Sequence, residues 1–120
     1  MTKKLNIALI GCGSWGKNIA RNLHQIGTLA CIYDTDQNLL QKLNQNFNLP
    51  TYSINDIFKN EKIQGLVIAS AAKTHKDLAE EALLNNKDVF IEKPFCLSLS
   101  DATNLSKLAI KKNRVLMVGH

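Results

Sequence analysis

Aromatics, cysteines and long apolar runs are all scarce in this chain, and each scarcity removes a class of protein. One Trp, two Tyr and four Phe among 120 residues leave no row of rings on which nucleic-acid bases could stack. The three cysteines, Cys12, Cys31 and Cys96, make no CxxC pair and leave an odd thiol. That argues against a disulfide framework or a zinc ribbon and for a reducing compartment. His24, His75 and His120 stand far apart in the chain and form no ligand spacing, so no metal is expected. No apolar run is long enough to cross a bilayer. The opening MTKKLNIALIGC looks like a lipoprotein leader, but its apolar segment is short and broken by Asn6. Repeats, low-complexity tracts and linkers are missing as well. The expectation is one cytoplasmic domain spanning 1–120, with neither membrane nor nucleic acid as partner.

Charge is unbalanced, since 15 basic against 10 acidic residues leaves +5. The lysines are scattered; the densest groups are Lys3-Lys4 and Lys111-Lys112 with Arg114. Lys111 and Lys112 close a predicted helix, where cations favour the negative end of the dipole. The excess therefore reads as solvated surface.

What is present is alternation. Short apolar runs separated by helical patterns are the mark of parallel βαβ units. Strands are predicted at Leu5–Ile10, Leu29–Tyr33, Leu66–Ala69, Asp88–Ile91 and Val115–Val118, with a brief sixth at Thr51-Tyr52. Helices are predicted at Ser14–Gln25, Asp36–Phe47, Ile54–Lys59, His75–Asn85 and from Ser98 to Lys112. Thr74-His75-Lys76-Asp77 and Ser98-Leu99-Ser100-Asp101 both have capping-box spacing. Inward faces are assigned to Ile19, Ala20 and Leu23, to Leu39, Leu40 and Leu43, and to Ala102, Leu105, Leu108 and Ala109. The fold class is α/β, a doubly wound six-stranded parallel sheet with helices on both faces, in the order 3-2-1-4-5-6.

Gly11-Cys12-Gly13-Ser14-Trp15-Gly16 is a GxGxxG that follows a strand and opens a helix, the context in which the pattern carries information. Gly11 permits the tight turn, Gly13 lets the backbone approach a pyrophosphate, and Gly16 lets the helix sit close on the sheet. The helix start, Ser14 and Trp15, then offers N–H groups to phosphate. Trp15 is expected to pack over the loop. Asp34 ends the second strand, 18 residues after Gly16. Its carboxylate can accept from the ribose hydroxyls of adenosine and would repel a 2′-phosphate, which favours NAD over NADP. The competing reading is that Asp34 caps the following helix. Cys12 and Cys31 read as small residues in tight places, and Cys96 as packing.

Val89-Phe90-Ile91 reads as sheet interior, and Glu92-Lys93-Pro94 follows abruptly. Taken alone this is an exposed charged pair with a proline stop. Together with SAAKTHKDLAEEAL before it and NRVLMVGH after it, the segment resembles the Gfo/Idh/MocA sugar oxidoreductases, over nearly the whole chain. The resemblance is to that family's N-terminal cofactor domain, in wording closest to members acting on UDP-linked amino-sugar acids. It implies that Lys93 sits beside the nicotinamide and hydrogen-bonds the reacting oxygen as the catalytic lysine. It implies that Glu92 holds the nicotinamide ribose, and that Pro94, after a cis bond, directs Lys93. Ser70 and His75 map near the cofactor, with Ser70-Ala71 standing where the family has Thr-Pro. Thr74 reads as a helix cap. The family's second, sugar-binding domain has no counterpart here, which leaves self-association or a missing domain as expected partners. The resemblance implies hydride transfer between a nicotinamide cofactor and a sugar or nucleotide-sugar hydroxyl. The alternative is a non-catalytic dinucleotide-binding module, a truncated remnant or a redox sensor.

Overall fold

The computed structural model describes residues 5–96 and 98–119, apart from the side chain of Ser14. Lys3, Lys4, His120 and the Ser14 side chain, named above, lie outside the described residues. Five strands form one parallel sheet: β1 (Ile7–Ile10), β2 (Leu29–Tyr33), β3 (Gly65–Ile68), β4 (Asp88–Ile91) and β5 (Leu116–Val118), in the order β2-β1-β3-β4-β5. Helices α1 (Ser14–Gln25), α2 (Gln37–Asn44), α3 (Ile54–Lys59), α4 (His75–Leu84) and α5 (Leu99–Lys112) connect them. The sheet is the expected one without its outermost strand, strand 3 of the expected order 3-2-1-4-5-6.

The missing strand is the one expected at Thr51-Tyr52. After α2 the chain turns through Asn48 at φ 51, and the Asn44 side chain donates to Leu49 O at 2.8 Å. Pro50 has no N–H to give a ladder. Ser53 caps α3 almost at once, its Oγ accepting from Asp56 N at 3.1 Å. Only Thr51 and Tyr52 lie between the proline and the cap, they do not pair, and β2 remains an edge. The same turn stops α2 at Asn44 instead of Phe47.

Strand side chains alternate between two cores. Ala8, Ile10, Leu66, Ile68, Val89 and Ile91 face α3, α4 and α5, where Ile57, Leu83 and Leu105 are buried. Leu9, Ile32 and Val67 face α1 and α2, where Ala20, Leu40 and Leu43 are buried. Leu39 departs from its expected inward place and is 37% exposed, at the rim of the sheet's carboxyl edge.

Caps follow the sequence at α5, where Ser98 Oγ accepts from Asp101 N at 3.1 Å. They do not at α4. A 3-10 turn, Ala72–Thr74, runs into the helix, so Thr74 already has a helical backbone. From there its hydroxyl turns back to donate to Ala71 O at 2.6 Å and caps nothing.

One buried side chain was not anticipated. Lys87, just before β4, is 2% exposed, and its Nζ donates to Asn60 O at 2.8 Å and Ile63 O at 2.7 Å. It thereby closes the end of α3 onto the turn leading to β3. Burial pushes the ammonium below its usual value. Two carbonyls suffice for either protonation state, since a neutral amine still has two N–H groups. Replacing Lys87 with Met keeps the stem but strands both carbonyls. The expected loss is about 1–3 kcal/mol in urea unfolding; an unchanged midpoint would show that water or backbone shifts replace the amine.

Candidate functional site

The carboxyl edge of the sheet is where the loops after β1, β2, β3 and β4 meet, with those of the neighbouring strands β1 and β3 in the middle. Gly11 leaves β1 at φ +113. A Cβ there would stand 2.7 Å from Ala69 C and from Ser70 N. Glycine is therefore required twice, by conformation and by the backbone that passes against it. A Cβ on Gly16 would collide with Gly11 O, so α1 can lie this close only with glycine in its first turn. Gly13 is different: nothing lies within 4 Å of its Cβ position. It opens onto a cavity.

Asp34 locks this arrangement. Its Oδ2 accepts from Cys12 N at 2.7 Å and its Oδ1 from Asp36 N at 2.8 Å. Capping of α2 falls to Asp36, whose Oδ1 accepts from Asn38 N and Leu39 N at 3.0 and 3.2 Å. The rival reading of Asp34 as the cap is thus corrected. Asp34 faces the cavity with one carboxylate that already organises the glycine loop. Cys12, fully buried, has its thiol 4.0 Å from Tyr33 O. Burial, then the carboxylates of Asp34 and Asp36, push that thiol up to about 12. Burial pushes Cys31 up to about 11, against the charge of Lys87. Burial also raises Cys96. These thiols are held in the protonated form, which fits packing and not nucleophilic chemistry.

The cavity measures about 780 Å³. Of the residues singled out in the sequence, Gly11, Gly13, Asp34 and Ser70 line it. Tyr33, Thr35, Leu39, Ile54, Lys73 and Thr74 line it too and were not foreseen as such. Their only sequence signal is position, directly after a strand or at the start of a connection. The Ser70 and Thr74 hydroxyls lie 2.7 Å apart on its wall. Trp15, expected over the loop, is instead 58% exposed on the first turn of α1.

The β4 end lies beside this wall. Glu92 N–H donates to Ile68 O at 3.0 Å, which continues the ladder one step past the strand. The Lys93–Pro94 bond is cis, as expected. Lys93 is exposed, and neither its side chain nor that of Glu92 has a hydrogen-bond or ion-pair partner among the described residues. Gly119, not foreseen, sits opposite them: a Cβ there would come 2.9 Å from the Phe90 ring and 3.2 Å from Glu92 Oε1. His75 is 1% exposed, and both ring nitrogens are used inside the protein, so it reaches the cavity only through what it holds.

A phosphate-bearing dinucleotide fits these residues. Gly13 leaves open space at the start of a twelve-residue helix, and that first turn carries no acidic side chain. Among the described residues no cluster of His, Cys, Asp or Glu could hold a metal, and no helix is long and apolar enough to cross a membrane.

Comparison with known proteins agrees. Residues 5–120 match the family model described as oxidoreductase family, NAD-binding Rossmann fold, of the Gfo/Idh/MocA group. The chain is 28% identical over 120 residues to 2,7-anhydro-N-acetylneuraminate hydratase of Escherichia coli (strain K12), covering 97% of this chain and 32% of that protein. It is 24% identical to the scyllo-inositol 2-dehydrogenase (NAD(+)) of Bacillus subtilis (strain 168), covering 99% and 36%. Among solved structures, GenD2 from gentamicin A biosynthesis in complex with NAD superposes with a TM-score of 0.90 at 26% identity, over 99% of this chain and 35% of that one. The UDP-N-acetylglucosamine 3-dehydrogenase GnnA of Acidithiobacillus ferrooxidans shares the fold, with a TM-score of 0.91 at 24% identity over 99% and 39%. The chain spans about a third of the length of the curated relatives it matches.

The buried thiols give a pH dependence with a definite sign. Unfolded, they ionise near 9.0; folded, Cys12 and Cys31 hold their protons to about 12 and 11. Their contribution is whole below pH 9.0 and declines as pH rises toward those folded values. Lys87 works the other way, its burial costing less as pH rises. Comparing wild type with Cys12→Ala isolates one thiol. The variant's urea midpoint should fall less steeply above about pH 9; parallel curves would mean that Cys12 ionises freely in the folded protein.

Proposed function

The chain belongs to the Gfo/Idh/MocA oxidoreductase family, and from that premise we propose that it forms the cofactor half of an enzyme moving hydride between NAD and a sugar or nucleotide-sugar hydroxyl. The observation that carries this reading is the convergence at one sheet edge. Gly11, Gly13, Asp34 and Ser70 line one cavity, and Lys93 stands unpaired at the end of the next strand but one from β1. Open α/β sheets bind nucleotides at that edge.

The nicotinamide ring of a bound dinucleotide supplies the hydride acceptor or donor. The residues of this chain bind and orient. The free N–H groups at the start of α1, reached across Gly13, hold the pyrophosphate. Asp34 accepts from the adenosine ribose hydroxyls through lone pairs left over from Cys12 and Asp36, and its charge disfavours a 2′-phosphate, which selects NAD over NADP. Ser70 lies under the nicotinamide half and Glu92 takes its ribose. Lys93, exposed and unpaired among the described residues, would donate a hydrogen bond to the substrate oxygen as hydride leaves the carbon, the hydroxyl proton being lost to solvent. Gly16 and Pro94 shape the backbone at either end, and Ser14 and Trp15 contribute through the helix start. The substrate is read from relatives named for an inositol and for an N-acetylneuraminate derivative. Those relatives carry enzyme names, so a non-catalytic module is not favoured. Three free cysteines, two of them buried, accord with a reducing, cytoplasmic setting.

Calorimetric titration with NADH and NADPH tests the reading. NADH should bind saturably and more tightly than NADPH. Asp34→Asn keeps the shape but drops the charge, and should weaken NADH about tenfold, roughly 1.4 kcal/mol, while narrowing the preference. A folded chain that takes up neither nucleotide would sink the assignment.

A further inference from the structure

His75 is the first residue of α4, yet its ring is 1% exposed and points between two loops. Nδ1 lies 2.7 Å from Pro94 O and 3.3 Å from Phe95 O. Nε2 lies 2.9 Å from Ser70 O. All three partners are main-chain carbonyls, and a carbonyl oxygen only accepts. His75 itself opens α4 directly after the Ser70 loop, so an N–H at Nδ1 already ties the loop after β4 to that connection, and an N–H at Nε2 is the one that reaches Ser70 O.

The two loops are not equivalent in what they carry. The loop after β3 brings Ser70 to the cavity wall; the loop after β4 brings Lys93 and Pro94 to the same edge. Apart from the ladder bond from Glu92 N to Ile68 O, the His75 ring supplies the polar contacts that join them among the described residues. Pro94 follows Lys93 directly, so a bond to its carbonyl anchors the Pro94–Phe95 peptide, one residue beyond the lysine, and with it the loop that carries the lysine. Ser70 O is similarly bonded on the residue whose hydroxyl faces the cavity. At the adenosine end the tie is a different one, the Asp34 carboxylate, which joins the loop after β2 to the glycine loop and does not involve His75.

We propose that His75 is a positioning residue for the nicotinamide end of the site: it clamps the Lys93–Pro94 loop to the Ser70 loop and touches neither cofactor nor substrate. The inference rests on the dinucleotide reading above and assigns to one half of that site a support that the other half does not use.

The discriminating probe is ADP, which carries the adenosine end and lacks both the nicotinamide and the ribose that bears it. Wild type, His75→Leu and His75→Asn are titrated with NADH and with ADP, with thermal unfolding followed in parallel. The Asn amide keeps an N–H near the place of Nδ1, and so the Pro94 link. His75→Leu should weaken NADH on the order of tenfold and leave ADP within about twofold, with His75→Asn recovering most of the loss. Parallel losses for both ligands, or loss of neither, would overturn the inference, because a ring that merely fills space cannot tell the two apart. If His75→Leu does not fold, the ratio of NADH to ADP affinity in His75→Asn and His75→Gln decides, Gln placing its N–H toward Ser70 instead. Equal ratios in the two overturn the inference, and a higher ratio in His75→Asn supports it. Wild type that binds ADP but gains nothing from the rest of NADH overturns it while the cofactor reading stands; wild type that binds neither removes that reading first.

Discussion

Everything at the carboxyl edge depends on a backbone that passes closer than side chains allow. The turn out of β1 lies against the chain leaving β3, and the first turn of α1 lies against the turn itself. Both contacts exist because Gly11 and Gly16 have no Cβ. With a methyl at either place the loop would be pushed off the sheet, Cys12 N–H would leave Asp34, and the cavity would lose its floor. The cost of so much glycine is chain entropy. It is offset by what the closeness permits: a carboxylate bonded to two backbone amides, a buried thiol, and a helix start left open at Gly13.

That constraint explains what was legible beforehand. Glycines with fixed spacing after an apolar run announce a backbone requirement, and Asp34 after the second run announces its partner. Such features are local, and they stand where the sequence placed them. Strand existence was also legible wherever the apolar run was continuous. Thr51-Tyr52 failed because two β-prone residues do not make a strand when proline precedes them and a helix cap follows. Thr74 failed for a related reason: capping spacing assumes that the cap residue is outside the helix, and a 3-10 turn had already drawn it in.

Long-range partners were the part that sequence could not display. Lys87 looks like any surface lysine in NNKDVF, and only the approach of the α3 end to the start of β4 turns it into a buried donor between two carbonyls. His75 looks like the first residue of an amphipathic helix. Its significance comes from residues 19 and 20 positions away, Pro94 and Phe95, which no periodicity connects to it. Gly119 is similar, a strand-end glycine whose need is set by the Phe90 ring on the neighbouring strand.

These contacts divide the edge into two regimes. On the β1–β2 side, main-chain amides and one carboxylate are held by glycine contacts that no side-chain rotation can relax and by the bonds of Asp34 to Cys12 N and Asp36 N. On the β3–β4 side stands Lys93, long and exposed. Its direction has to come from the loop that carries it, and that loop meets its neighbour through polar bonds. On the function proposed above, the glycine side would take the ligand portion that does not react. The side held through a single ring would take the reacting portion, where a lysine that is to meet a substrate oxygen needs direction without being immobilised. The placement of glycine on one side and of a buried histidine on the other is thus one design constraint met in two ways along a single sheet edge.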